Sequence, residues 1–154
     1  MIQEFPLLAH VAFGVFGIFT AFAVAVESYL LPKGSTRKVN LAFLTLFFMG
    51  GALIFGGYWY LVEYPANKEF ILTSSAPWAH KVVMEAKEHI FFLIMMLAVL
   101  LPISTLDELR RAPGTKAQHI TFVISSAIVL LGLMMEGMGG MISLAVRLGL
   151  KGAA

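Results

Sequence analysis

The chain contains no cysteine. Disulfides, thiolate metal sites, iron–sulfur clusters and covalently attached c-type haem are therefore excluded. Charge is also scarce: Asp, Glu, Lys and Arg make up 13% of the 154 residues, about half the share in an ordinary soluble domain. The formal net charge of +2 is too small a basic excess to point to nucleic acid, and no such partner is expected. Hydrolytic and nucleotide-binding motifs are missing as well. There is no Gly-x-Ser-x-Gly, no His-Glu-x-x-His and no phosphate-binding glycine loop. The opening residues, Met1 to Pro6, lack the basic region of a secretory signal, so no cleavable signal is expected.

What the chain does have is apolar residues in long runs. They form 59% of the sequence, and the mean hydropathy is +0.86. A bilayer is crossed by about 20 apolar residues in a helix, and four stretches reach that length. The spans are expected at Phe5–Leu31, Val39–Tyr64, Trp78–Leu101 and Ala117–Leu148. Pro6 suits a first helical turn, while Pro32, Pro65 and Pro102 are expected to stop the first three spans. Gly139-Gly140 marks a candidate break in the fourth, and residues 65–77 read as a long connection. The fold class is all-α: a polytopic, up-down bundle of four transmembrane helices, forming one domain over residues 1–154.

The loops after spans one and three carry Lys33, Arg37, Lys38, Arg110, Arg111 and Lys116. The other side carries Lys68, Arg147 and Lys151, with Lys81 at the boundary. The positive-inside bias puts the first set in the cytoplasm and both termini outside. Tyr58, Trp59, Tyr60, Tyr64 and Trp78 then make an outer aromatic belt, and a bacterial inner membrane with periplasmic termini is the expected location.

Chemistry is concentrated at the start of span three, where His80, Lys81, Glu85, Lys87, Glu88 and His89 fall within ten positions. Ionisable groups inside a membrane are expensive and mark functional sites. A rise of about 1.5 Å per residue puts Glu85, Glu88 and His89 about 10–18 Å below the outer face, level with Glu136 on span four. His10 lies one to two turns into span one, and Glu27 and His119 belong to the opposite end. At about 100° per residue, Lys81, Glu85, Glu88 and His89 share one face, and His80, Met84 and Lys87 share another. His80 and His89 point in opposite directions, so they do not ligate one atom together.

Three site readings follow. His10 with His80 or His89 would hold haem b between facing helices. Gly14, Gly17, Gly50, Gly51, Gly56 and Gly57 would let its macrocycle approach the backbone, though glycines of this kind also serve plain helix contacts. Glu85, Glu88, His89 and Glu136 offer carboxylate and imidazole ligands for iron, manganese or zinc, or a proton relay. Against that stands internal neutralisation of Glu85 and Glu88 by Lys81 and Lys87. Glu136, mid-span without a basic neighbour on its own helix, stands out for a functional role, with Glu85 as its catalytic companion. Met134, Met138 and Met141 share a face, and with Met84 could hold copper(I), or simply fill space. Lys81 and Lys87 could meet haem propionates or a quinone headgroup.

Leu8-Ala9-His10 in span one and Trp78-Ala79-His80-Lys81 opening span three resemble small four-helix membrane haem proteins, such as HemJ-type oxidases and CopD-like domains. The resemblance covers these two patches. Glu85-Ala86-Lys87-Glu88-His89 has no counterpart in it, and it implies a membrane haem bundle rather than a particular oxidase activity. The expected function is an integral b-type haem protein, passing electrons between a quinone or periplasmic partner and a membrane redox complex. Its rivals are a haem-free metal-handling or proton-coupled protein and a non-catalytic subunit of a larger assembly or homo-oligomer.

Overall fold

A computed structural model describes residues 5–152 except 32, 112, 114 and 115, with side chains described to residue 150. The stop assigned to Pro32 and the side chain of Lys151 lie outside the described residues. Four long apolar helices cross the bundle: α1 (Phe5–Leu30), α2 (Thr36–Val62), α4 (Glu85–Arg110) and α5 (Lys116–Gly152). A shorter helix, α3 (Tyr64–Thr73), and a π-helical turn (Ala79–Met84) join α2 to α4. The all-α bundle is as expected, and no strand occurs among the described residues.

Local chemistry explains where the boundaries moved. Ser35 is extended, and its Oγ accepts from the Lys38 amide at 3.2 Å, so α2 starts at Thr36 rather than near Val39. Pro65 does not close α2. It sits in the first turn of α3, where a missing N–H costs nothing, and residues expected as loop become a helix. Pro102 likewise lies inside α4, which runs on to Arg110. Leu101, Pro102, Ser104, Thr105 and Glu108 are all buried in the bundle. The Ser104 and Thr105 hydroxyls donate back to the carbonyls of Leu101 and Pro102, each at 2.9 Å. Burial of this stretch in the bundle accompanies the passage of the helix through its proline, which membrane helices tolerate. Gly139-Gly140 causes no break in α5.

The helices form a ring in the order α1, α2, α4, α5, with α1 opposite α4 and α2 opposite α5. The main core joins Ile18 and Val24 of α1, Ala42 and Met49 of α2, Ile94 and Leu101 of α4, and Ile128 and Met135 of α5. Thr45 of α2 donates to Thr20 of α1 at 2.9 Å. A second cluster, built on Tyr64, Ile71, Val83 and Ile142, closes the end that carries α3. Phe19, Phe47, Ile54, Phe92, Met96 and Leu130 are among many large apolar side chains exposed around the ring. Such a girdle suits lipid and not water; this is an integral membrane protein.

Ion pairs mark the short-loop end. Glu27 meets Arg37 at 2.9 Å, Lys38 meets Glu108 at 2.5 Å, and Asp107 meets Arg111 at 2.8 Å. Counted from Glu27 and Glu108, His10 stands about 26 Å away and Lys87 about 31 Å away along their helices. The hydrocarbon layer is about 30 Å thick, so these residues lie near its far boundary. Because α4 continues past Pro102, Glu85, Glu88 and His89 sit further out than a stop at Leu101 implied.

Candidate functional site

The candidate site lies between all four long helices, just inside the α3 end, and is built around His10, Lys87 and Glu136. Two adjoining cavities meet there. The inner one, about 30 Å³, is lined by His10, Lys87, Met135 and Glu136 among others. It is roomy enough for a water molecule or two. The outer one, about 260 Å³, shares His10, Lys87 and Met135 and adds Trp59, Tyr60 and Met84. Its wall includes Leu53 of α2 and Phe92 of α4, both exposed on the lipid side. The outer cavity is therefore apolar, aromatic and laterally placed, with a few polar groups at its back.

His10 is fixed by the backbone of α2. Its Nδ1 lies 2.8 Å from the Ala52 carbonyl oxygen. A carbonyl only accepts, so Nδ1 carries the proton and donates. Nε2 is then the lone-pair nitrogen of a ring that lines both cavities, and it forms no hydrogen bond to any described residue. Gly56 makes this placement possible, because a β-carbon there would lie 2.7 Å from His10 Cε1.

Lys87 and Glu136 face the same inner cavity from α4 and α5. They do not close to an ion pair within 4.0 Å; among the described residues only the three pairs at the short-loop end do so. Glycines make room for both. A β-carbon on Gly14 would lie 3.0 Å from Glu136 Oε1, and one on Gly139 would lie 3.3 Å from Lys87 Nζ. An imidazole, a lysine amine and a glutamate carboxyl thus line one small, otherwise apolar chamber.

The remaining expected residues are arranged differently. Glu85, Glu88 and His89 share a face of α4 as expected, but they are exposed, as is Lys81 in the π turn before them. Glu88 reaches the edge of the outer cavity, and His89 Nδ1 bonds back to the Glu85 carbonyl at 2.7 Å. Glu85, Glu88 and His89 do not gather with Glu136. No cluster of three or more His, Asp or Glu side chains placed to hold a metal occurs among the described residues. His80 lies in the π turn, with Nδ1 3.0 Å from the hydroxyl of buried Tyr64, and lines neither cavity. The i→i+5 wind of that turn takes His80 off the stripe on which Met84 and Lys87 lie. Met134 and Met141 are exposed; the thioethers that reach the outer cavity are Met84 and Met135.

Outside the bilayer, Tyr64 belongs to the same end. It stacks on Tyr60 with centroids 5.3 Å apart. Burial, followed by the Tyr60 phenol and the Glu88 carboxylate, pushes its hydroxyl up to about 12.

Sequence reading missed Lys87 as a principal site residue, although the signal was present. Stepping back from core residues Ala98 and Ile94 by threes and fours reaches Phe91, Lys87 and Met84, and passes over Glu85, Glu88 and His89. No family model matches the chain, and no curated protein or solved structure matches it.

Proposed function

We propose that this is an integral membrane b-type haem protein, passing electrons between a quinone or periplasmic partner and a larger membrane redox complex. One observation carries the reading: His10 lines an apolar, aromatic cavity while its Nδ1 is anchored on the Ala52 carbonyl, which leaves Nε2 as the nitrogen with the lone pair. Metal-binding histidines are commonly oriented by such a bond. A haem in this cavity would be held by His10, the histidine that lines it, with the thioethers of Met84 and Met135 on the same lining, whereas His80 and His89 do not reach it. When bound, haem supplies one-electron chemistry. The chain's part is to fix the His10 tautomer through Ala52, to exclude water with Trp59 and Phe91, and to place the Lys87 ammonium where an acidic substituent would meet it. Glu136 holds a carboxyl next to that chamber and is the group placed to exchange a proton there. A bacterial inner membrane with both termini in the periplasm accords with the loop charges.

The deciding experiment is an optical spectrum of the detergent-purified protein, as isolated and after dithionite. A Soret band with sharp reduced bands, lost in His10→Ala, is the expected result. A featureless spectrum from cells supplied with haem overturns the reading.

A second reading rests on a different observation: Lys87 lines a cavity whose wall reaches lipid at Leu53 and Phe92, and Glu136 lines the small chamber adjoining it. Without haem, this is a proton-coupled membrane protein taking a quinone head from the bilayer. It predicts a colourless protein whose activity falls in Glu136→Gln.

A further inference from the structure

From the wall of the outer cavity, rings run in unbroken contact towards the α3 end. Trp59 and Tyr60 line the cavity that His10 also lines. Both rings lie against Tyr64, with the Trp59 centroid 5.5 Å away and the Tyr60 ring stacked at 5.3 Å. The Tyr64 ring lies 5.8 Å from that of His80. These are the separations of rings in contact. The chain thus leads from the cavity wall, through a phenol that is 2% exposed, to a half-buried imidazole.

The last contact has a direction. The Tyr64 hydroxyl lies 3.0 Å from His80 Nδ1 and bonds to no other described residue. Were Nδ1 the donor, the buried phenolic proton would have no acceptor, and buried hydroxyls are paired. Tyr64 therefore donates, and His80 carries its own proton on Nε2. Nδ1 is then a base within reach of the phenolic proton. An interfacial tyrosine ordinarily keeps its polar tip in water; this one is turned from water and given a base. Burial keeps the phenol protonated up to about 12, so at neutral pH the loss of an electron must be accompanied by the loss of that proton.

We infer that Trp59, Tyr60, Tyr64 and His80 form a relay that carries oxidising equivalents out of the His10 cavity, with Tyr64 as its redox-active residue. The inference rests on the reading of that cavity as a redox site, and the oxidant it takes is hydrogen peroxide reaching the cavity. In each turn Tyr64 gives up one electron, which passes through Tyr60 or Trp59 to the oxidant. Its proton moves to His80 Nδ1, leaving a neutral tyrosyl radical beside an imidazolium. A one-electron reductant of the ascorbate class, in the water at the α3 end, returns the electron, and His80 returns the proton. The electrons of two turns, with two protons from solvent, break the O–O bond of one peroxide and form two waters. The relay thus clears the cavity of an oxidant that would otherwise attack its thioethers, Met84 and Met135.

The chain has no cysteine, so Leu53→Cys, on the exposed wall of the outer cavity, gives a single point for attaching a ruthenium polypyridyl photo-oxidant. A flash with a soluble quencher then delivers one oxidising equivalent to the cavity of the full chain in detergent, with or without haem. Electron paramagnetic resonance is expected to show a neutral tyrosyl radical that is lost in Tyr64→Phe and kept in Tyr58→Phe. His80→Ala should slow its formation about a hundredfold, the contribution of a positioned base, and added imidazole should restore the rate. Tyr64→Phe keeps the ring and His80 is only half-buried, so either variant reports if the other fails to fold. No tyrosyl radical, a radical that survives Tyr64→Phe, or a rate unchanged in His80→Ala would overturn the proposal. A Tyr64 radical in a protein that binds no haem would sink the haem reading and leave the relay standing.

Discussion

Lys38 of α2 and Glu108 of α4 meet at 2.5 Å with both side chains sealed from solvent. Lys38 Nζ also donates to the Leu31 carbonyl at 3.1 Å, which ties the α1–α2 loop to the pair. Glu108 Oε2 has no hydrogen-bond partner among the described residues. Removing one side of a buried pair strands the other charge and costs about 3–5 kcal/mol, whereas replacing both sides with apolar groups is often neutral. Lys38→Met should therefore be strongly destabilising, and adding Glu108→Leu should recover most of the loss. Thermal unfolding in detergent reads both; a double variant no better than the single would show that the pair is not the source.

The His10 ring rests against Gly56. Gly56→Ala is expected to displace the ring and cost about 1–3 kcal/mol of stability. It should also shift or abolish any Soret band. Gly57→Ala is the control, because nothing lies within 4 Å of a β-carbon there. Identical spectra and melting for the two variants would contradict the tight fit.

Lys87 and Glu136 face one chamber without touching. Lys87→Met leaves Glu136 without its counter-charge, and Glu136→Gln does the reverse. A double-mutant cycle should show a favourable coupling of roughly 1 kcal/mol. Strict additivity would mean that the two charges do not sense each other.

Tyr64 ionises near 10 when unfolded and near 12 in place. Between those values the unfolded chain gives up a proton that the folded protein keeps. Stability should therefore fall as pH rises from about 10 to about 12. Tyr64→Phe should flatten that part of the curve in melting followed against pH. An unchanged slope would place its source elsewhere.

Composition alone was enough to read the membrane class and the four spans, because runs of this length have no other stable home. Proline was the misleading signal. Pro65 starts a helix, where its missing N–H costs nothing, and Pro102 lies within one, where packing in the bundle interior outweighs a lost backbone bond. His10 and Glu136 were legible as site residues and are brought together. Glu85, Glu88 and His89 were grouped on the correct shared face of α4, but periodicity does not say which face turns inward. The inward face carries a single charge at this level, Lys87, and shows itself only when the core stripe is traced back from Ile94. The Lys38–Glu108 pair joins residues 70 positions apart, a proximity that no local pattern encodes.

The π turn at Ala79–Met84 gives the α3 end a tolerance to changes in length. A π turn holds about one residue more than an α turn. Deleting a residue there lets the helix rewind to ordinary pitch while Lys87, Phe91 and Ile94 keep their alignment with the other helices. His80 and the chain before it take up the rotation instead. A change of length there would fall on the Tyr64–His80 contact and the cluster around it, while the geometry around His10 stays as it is.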